Sequence, residues 1–431
     1  MNRFWPKSAD RVFLEEALAA GRRAGLHSMT VLLETTYTHR VEFSHAAAAS
    51  AASIHGERAN VSVLVAGRRV SRALATRSPD ALADAIAGLA ANTGAALIEG
   101  MQPLTQPGAD DHATVPIATC SEADVWRAVE RLRSELTIAF PSIVVRSGSY
   151  EWVSRRRHVA GMDGAREERR DGARLSLVFA HRDGSGAHGL HSYSRWSPRH
   201  EPALLDFGDL STMLQLACAR RQPGSRAPSF TGDVILAPRV GCDFVRGIAG
   251  VLRPRGVNAA RRSLDDMVGQ QVCAPCFTLV DDPLDAELPG GAAFDDVGTA
   301  CVARTLIERG ILRHLKNAPE ATAPAAQWST LAVGAGHDSL DSMIAKTRRG
   351  ILLAGLRGEP LQGALDFRGM AQNSFYVEDG KILHPIGRSM VSGNAWSLFE
   401  QLRGVGTVLA NFGDARIPYL HAQGVHVHAI A

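Results

Sequence analysis

The stretch DFRGMAQNSFYVEDGKILHPI, residues 366–386, decides how the C-terminal half of this chain folds. In it, and in FDDVGTACVARTLIERGIL, residues 294–312, short apolar runs alternate with Gly, Asp and Pro, which favour turns. The pattern predicts many short strands, interrupted by helices at residues 240–251, 340–348 and 396–402. We therefore expect a C-terminal domain, residues 231–431, that is a β-rich sandwich or barrel-like domain.

Residues 1–222 show a different pattern, in which longer helical and strand segments alternate. Ser121 and Asp124 have the spacing of a capping box, which predicts the start of a helix there. From residue 143 to residue 196, apolar and polar residues alternate between turns rich in Gly and Asp, which predicts strands. The expected N-terminal domain is α+β, with helices on a mostly antiparallel sheet. The segment rich in Pro and Gly at about residues 222–231 is the expected linker.

The composition is typical of a soluble globular protein. The chain has 431 residues, 45% of them hydrophobic and 21% charged, which is enough for two domains with sizeable cores. Its net charge of +3 is too small to predict nucleic-acid binding. Because it has neither a leader pattern nor a run of about 18 apolar residues, we expect a cytoplasmic protein that does not bind a membrane.

Two Arg-rich runs, residues 155–157 and 166–174, lie among acidic residues and predict a solvated hairpin. Cys273 and Cys276 have CxxC spacing, but the second pair that a zinc site needs is missing, so we interpret them as packing residues. His426 and His428 share one face of a terminal strand, a geometry that can chelate zinc or copper, yet a third ligand is missing. A stand-alone metal-binding enzyme built from these Cys and His residues is one alternative.

Several motifs together resemble the TldD/PmbA family. They are the acidic pair Asp295-Asp296 before Gly298, LIE-x-G-x-L at residues 306–312, D-F-R-G at residues 366–369, V-E-x-G-x-I at residues 377–382 with Pro385, and SGNAWSLFEQLRGVG at residues 392–406. The serine that precedes the arginine in the family's turn is missing here, because Phe367 directly precedes Arg368.

The resemblance also implies a role, because the family has two kinds of subunit. The catalytic kind carries HExxxH on a helix, where two His bind zinc and the Glu is the general base. The corresponding helix here, at residues 240–251, reads VGCDFVRGIAGV and has neither His nor Glu. The resemblance implies the TldE/PmbA-like subunit of a heterodimeric zinc metallopeptidase, with no catalytic residue, metal ligand or cofactor of its own. Zinc is expected in a TldD-like partner subunit that carries HExxxH.

The expected substrate is an unfolded or small peptide, including one that matures into a natural product. Because the turn at residues 366–373 has no packing reason to be polar, we expect Arg368, Gly369, Gln372 and Asn373 to contact the substrate. A second alternative is a non-catalytic binding or scaffold protein that has no peptidase partner. A neighbouring gene for a longer relative with HExxxH would distinguish these hypotheses.

Overall fold

The structure is a computed structural model with two β-sheets and helices packed against them. It describes residues 9–26, 28–46, 48–65, 68–93, 120–161, 164–183, 186–199, 207–219, 227–252, 266–315, 330–362, 365–387 and 389–430. Part of the expected linker at about residues 222–231 lies outside these residues.

The first sheet is an antiparallel half-barrel. Its six strands are β1 Met29–Phe43, β2 Ala48–Val65, β3 Arg68–Leu74, β4 Ile143–Gly161, β5 Gly164–Asp183 and β6 Gly186–Ser197. Their order in the sheet is β3-β2-β1-β4-β5-β6, and every neighbouring pair is antiparallel. Strands that follow each other along the chain also pair in the sheet, with one exception. After β3 the chain makes a long connection, and β4 pairs with β1.

In the described part of the chain, four helices pack on one face of this sheet. They are α1 Ala9–Arg23, α2 Pro79–Thr93, α3 Glu122–Ala139 and α4 Leu210–Ala219. In β1, Val31, Leu33 and Val41 are buried on the helical side, whereas Thr36 and Thr38 alternate with them and point to the opposite side. We call that opposite side the polar face. It carries the even-numbered residues 32–42 of β1 and the residues that lie in the same rows on β2, β4, β5 and β6.

Helix α3 begins where the sequence predicts it. The Ser121 hydroxyl accepts a hydrogen bond from the Asp124 N–H at 3.3 Å, and the Asp124 carboxylate accepts one from the Ser121 N–H at 2.7 Å. The predicted capping box is therefore confirmed, and such a cap stabilises a helix by about 1 kcal/mol. The buried residues of the helix are Val125, Ala128, Val129, Leu132 and Leu136.

The second sheet is mixed and has thirteen strands. They are β7 Phe230–Leu236, β8 Leu279–Asp281, β9 Arg304–Glu308, β10 Ile311–Leu312, β11 Leu331–Val333, β12 Arg349–Leu353, β13 Gly355–Gln362, β14 Asp366–Gln372, β15 Ser374–Glu378, β16 Lys381–Ile386, β17 Ser389–Asn394, β18 Leu402–Asn411 and β19 Ala415–Ala429. The main order is β10-β9-β8-β11-β19-β7-β12-β15-β16. The sheet branches at β19, which also pairs with β18 and β17, and β17 continues through β14 to β13.

Among the residues that the structure describes, three helices pack on this half: α5 Pro238–Val251, α6 Leu340–Lys346 and α7 Ala395–Glu400. α5 and α7 share the largest apolar core with the second sheet, where the rings of Phe244 and Phe367 lie 4.7 Å apart. α6 packs through Met343 into a separate apolar cluster with Ile235 and Phe375. Each large apolar side chain that is fully buried contributes about 1.5–3 kcal/mol, so these two clusters hold the second sheet and its helices together.

The α+β class that the sequence predicts is confirmed. The β-rich C-terminal half takes the form of one branched mixed sheet. Among the helices that the structure describes, none is long and apolar enough to cross a membrane. The division into domains 1–222 and 231–431 stays a prediction, and the first sheet ends with β6 while the second begins with β7.

Candidate functional site

Helix α5 occupies the place where the resemblance implies a zinc motif in catalytic relatives. It follows β7 directly, and Pro238 at its first position suits a helix start. Its apolar side is buried, and its exposed side carries Arg239, Asp243 and Arg246. The Asp243 carboxylate lies 3.8 Å from the Arg239 Nε and 3.9 Å from an Arg246 terminal nitrogen. Two guanidinium groups therefore surround the only carboxylate of this helix.

The turn between β18 and β19, residues 412–414, connects α5 to the first sheet. Asp414 forms an ion pair with Arg246 of α5. Gly413 has a φ of +92° and lies against the indole of Trp196, so close that a Cβ would be 2.7 Å from the indole nitrogen. Glycine is required at this position by both the backbone conformation and the contact. The turn thus contacts α5 on one side and the polar face on the other.

One end of the polar face is covered by residues 283–296, which we call the sealing segment. Arg157 donates hydrogen bonds to Glu168 at 2.8 Å, to the carbonyl of Phe294 at 2.8 Å and to Asp296 at 2.6 Å. Burial, the largest single influence, lowers the pKa of Arg157, but Glu168, Asp296 and Glu34 together outweigh it, so this pKa is raised above its usual value. The predicted solvated hairpin is wrong here, because Arg157 is buried in an interface between the two sheets.

Two more arginines of the same hairpin bind main-chain carbonyls of the sealing segment. Arg155 donates to the carbonyl of Gly291, and Arg170 donates to those of Asp285 at 2.8 Å and Pro283 at 3.0 Å. In return, Glu168 accepts a hydrogen bond from the N–H of Ala293 at 2.6 Å. Phe294 is buried with Leu32 and Val159, which lie on the polar face. We call this covered region the sealed end.

The other end of the polar face, which we call the open end, is a row of four residues on four adjacent strands. Arg40 lies opposite Glu151, Glu151 lies opposite Arg174, and Arg174 lies opposite Trp196. The Arg40 side chain is 37% exposed and that of Arg174 is 42% exposed, against 5% for Arg157 at the sealed end. The two ends therefore present the same residue types in different surroundings.

The residues that the sequence predicts to contact substrate lie on β14 and the turn after it. The Arg368 side chain is exposed, opposite Ser392 of β17. Gly369 lets β13 approach closely, because a Cβ there would be 2.9 Å from the carbonyl oxygen of Arg357. Gln372 is exposed at the end of the strand, and Asn373 has a φ of +51°.

The Asn373 side chain binds the first sheet, since its Nδ2 donates to the carbonyl of Leu190 on β6 at 3.1 Å. The four residues are therefore spread along one strand and its turn and do not converge on one point. Their contact with substrate stays a prediction.

The alternative metal ligands lie at separate places. Cys273 is buried, and burial raises the pKa of its thiol to about 12. Cys276 is exposed, and its thiol contacts the carbonyl of Leu402. His426 and His428 are exposed on β19. In the part of the chain that the structure describes, which includes all four residues, no three His, Cys, Asp or Glu side chains are grouped so that they could hold a metal ion.

The sequence resembles metallopeptidases in its C-terminal half. Residues 229–429 match the family model described as the PmbA/TldA metallopeptidase C-terminal domain. A metalloprotease from Methanothermobacter thermautotrophicus is 24% identical over 250 residues, which cover 54% of this chain and 53% of that protein. The metalloprotease PmbA from Escherichia coli O157:H7 is 22% identical over 201 residues, covering 44% and 45%. The matched region thus spans about half the length of these curated relatives.

The fold of the whole chain resembles solved structures. A proposed modulator of DNA gyrase from Bacteroides thetaiotaomicron superposes with a TM-score of 0.76 at 18% identity, covering 98% of this chain and 100% of that one. TldE from Thermococcus kodakarensis gives a TM-score of 0.74 at 17% identity, covering 97% and 100%. Residues 229–429 of the chain therefore belong to the TldD/PmbA family.

The family motifs of this TldD/PmbA member include residues of the sealed end. Phe294 and Asp296 begin the quoted C-terminal stretch, and both bind Arg157 of the N-terminal half. Sequence reasoning missed the contacts of Arg157 with Phe294 and Asp296 and the contact of Trp196 with Gly413. The two-residue spacing of Arg155 and Arg157 places them on one face of a strand, but it does not reveal what lies opposite.

Proposed function

We propose that this chain is the TldE/PmbA-like subunit, without zinc, of a heterodimeric zinc metallopeptidase that cleaves unfolded or small peptides. The observation that carries the proposal is helix α5, which has neither His nor Glu along Pro238–Val251. The match to a metallopeptidase family supports the peptidase part, and the similarity in fold to TldE fits the subunit type. We expect the complex in the cytoplasm, and maturation of a peptide natural product is one use that fits it.

The residues on the exposed side of α5 do not fit zinc. Zinc in proteins takes thiolate, imidazole and carboxylate ligands. The one carboxylate available, Asp243, lies between Arg239 and Arg246, whose positive charges disfavour a bound cation. The TldD-like partner with HExxxH would supply the zinc and the hydrolytic chemistry. This chain would close the cavity and shape the entry of substrate.

Peptide recognition fits the large share of strand in this chain. An extended peptide can add to a sheet edge through main-chain hydrogen bonds, which select for unfolded or short substrates. Under this proposal Arg368, Gly369, Gln372 and Asn373 contact the peptide from the C-terminal half. Asn373 would then act from a turn that is already anchored on β6.

Metal content and activity of the complex test the proposal. The chain is expressed alone and together with a TldD-like partner, and zinc is measured by inductively coupled plasma mass spectrometry. We expect about one zinc per heterodimer and far below one for this chain alone. Cleavage of short peptides should require both subunits and should disappear when either His of the partner's HExxxH is replaced by Ala.

The matched control is Arg127→Gln, a change at an exposed α3 side chain that is expected to leave zinc content and activity unchanged. About one tightly held zinc in this chain alone would overturn the assignment to the subunit without zinc. Full peptidase activity of the TldD-like partner without this chain would overturn the heterodimer.

A further inference from the structure

The open end of the polar face is a preorganised cationic site. Arg40 Nε lies 2.9 Å from one oxygen of Glu151, and an Arg174 terminal nitrogen lies 4.0 Å from the other. Arg174 also donates from Nε to the Ser194 hydroxyl at 3.2 Å, and its guanidinium carbon lies 6.0 Å from the Trp196 ring centre. These contacts hold Arg174 in place while it stays 42% exposed.

The charge of this row is unbalanced. Arg40 and Arg174 share the single carboxylate of Glu151, so the row carries one positive charge in excess. Glu42 lies in the next row, but its carboxylate is hydrogen-bonded by Ser50 on β2, on the side of β1 away from Arg174. An anionic group therefore meets a net attraction at the Arg174 side of the row. Arg is well suited to this, because its planar donors match a carboxylate.

The sealed end shows which chemistry this face uses to hold a polypeptide. There, arginines of β4 and β5 bind main-chain carbonyls of the sealing segment, and Arg157 binds the carboxylate of Asp296. Arg40 and Arg174 project from the same face of the same sheet, two or more rows further along. At the sealed end this face therefore binds a turn-rich segment through its main-chain carbonyls and one acidic side chain.

We propose that the open end of the polar face binds the carboxylate of an acidic residue in the peptide substrate, with Arg174 as the main anion ligand and Trp196 beside it. The inference rests on the proposed peptidase function and adds a substrate class to it. Its location next to the turn of residues 412–414 places the bound peptide close to α5. Peptides with Asp or Glu at the matching position are then preferred.

Binding by the intact chain alone tests this site, without zinc or a partner. The probe is a short peptide of Ala and Ser with blocked ends and one central Glu, compared with the same peptide carrying Gln. Affinity is measured by isothermal titration calorimetry at low salt, where exposed charges are least screened. We expect the Glu peptide to bind about 10-fold more tightly than the Gln peptide.

Substitutions distinguish the loss of the anion site from a general loss of the folded structure. Arg174→Gln should abolish the preference for Glu over Gln, whereas Arg127→Gln on α3 should keep it. Glu151→Gln should increase the preference, because it frees both guanidinium groups, and a variant that only disturbed the fold would not strengthen binding. Tryptophan fluorescence that changes on binding in the wild type, and not in Trp196→Phe, would place the peptide at the row.

Three results would overturn the proposal: equal affinity for both peptides, no measurable binding of either, or an unchanged preference in Arg174→Gln. If Arg174→Gln weakened assembly with the TldD-like partner and left the peptide preference unchanged, the row would be a subunit contact instead. Because none of these measurements uses zinc or catalysis, their outcome is independent of the test of the heterodimeric peptidase.

Discussion

The sealed end and the open end of the polar face differ in what lies on them. Both are rows of Arg and Glu on β1, β4 and β5, with partners set by the same antiparallel register. At the sealed end, residues 283–296 cover the row, and Arg157 is 5% exposed. At the open end, Arg174 is 42% exposed and is held by neighbours on its own sheet.

Identical residue types therefore have two energetic roles in this sheet. A buried arginine that loses its partner leaves an uncompensated carboxylate behind, so the sealed end contributes to stability. An exposed arginine is hydrated and contributes little to stability, but it can exchange water for a ligand. Substitutions at the two ends should therefore differ in their effect on stability.

Replacing Arg157 by Met should cost about 3–5 kcal/mol of unfolding free energy. The reason is that Glu168, whose side chain is only 7% exposed, loses the partner that balances its charge. Urea unfolding of the purified chain measures the change. Arg58→Gln is the matched control, because Arg58 also reaches Asp296, at 3.6 Å, but is 48% exposed, so its loss should cost at most about 1 kcal/mol. Equal stability of Arg157→Met and wild type would contradict a sealed end held by this residue.

The thiol of Cys301 should report on the sealed end through its pH dependence. Burial, followed by the charge of Asp295, raises the pKa of Cys301 to about 11. Only the thiolate reacts with iodoacetamide, so below that pKa the labelling rate should rise about tenfold per pH unit. At pH 8 it should be roughly 200-fold slower than for a thiol of ordinary pKa, which is about 8.5.

Mass spectrometry of the labelled peptide from pH 7 to pH 10 gives the profile for Cys301. The urea-unfolded chain is the control, and its rate should level off near pH 9 because its thiol has the ordinary pKa. A folded-state profile that also levels off near pH 9 would show that burial and the charge of Asp295 do not raise the pKa of this thiol.

Gly413→Ala should cost about 1–3 kcal/mol and move the indole of Trp196. Two effects add here, because φ is +92° and the new Cβ would lie 2.7 Å from the indole nitrogen. Gly269→Ala is the matched control, since Gly269 has a φ of +88° but has no atom within 4 Å of its Cβ position. The difference in unfolding free energy between the two variants isolates the contact. If both variants lost the same unfolding free energy, the close contact between Gly413 and the Trp196 indole would have no effect on stability.

Arg174→Gln should change the unfolding free energy by less than about 0.5 kcal/mol. Its ion pair with Glu151 is 4.0 Å long and its side chain is 42% exposed, so little is lost when the charge is removed. Urea unfolding of Arg174→Gln and of Arg157→Met under the same conditions compares the unfolding free energies lost at the two ends. A loss of several kcal/mol would mean that the open end is structural and would weaken the case for a ligand site there.

Local features of the fold could be predicted from the sequence. The capping box at Ser121, the strand pattern from residue 143 onward and the helix after β7 each depend on residues a few positions apart, and the structure contains all of them. The lack of His and Glu in α5 could likewise be read directly from its sequence. Such features follow from backbone preferences and side-chain periodicity, which act over one or two turns.

The sealed end could not be predicted, and the solvated hairpin was the wrong expectation for Arg157. Its partners Phe294 and Asp296 lie 137 and 139 residues away along the chain. The contact of Asn373 with Leu190 spans 183 residues. An Arg-rich strand has the same local pattern whether water or another segment lies opposite, so the pattern alone does not distinguish the two cases.

The amino-acid sequence was sufficient to predict the α+β class, the β-rich C-terminal half and an α5 helix without His or Glu. These properties depend on residue type and short-range spacing. Only the tertiary structure decided which arginines of the polar face are buried under residues 283–296 and which stay exposed beside Trp196. The physical reason is that burial and pairing of charge depend on what lies across the interface, and that is set by the packing of two sheets distant in the chain.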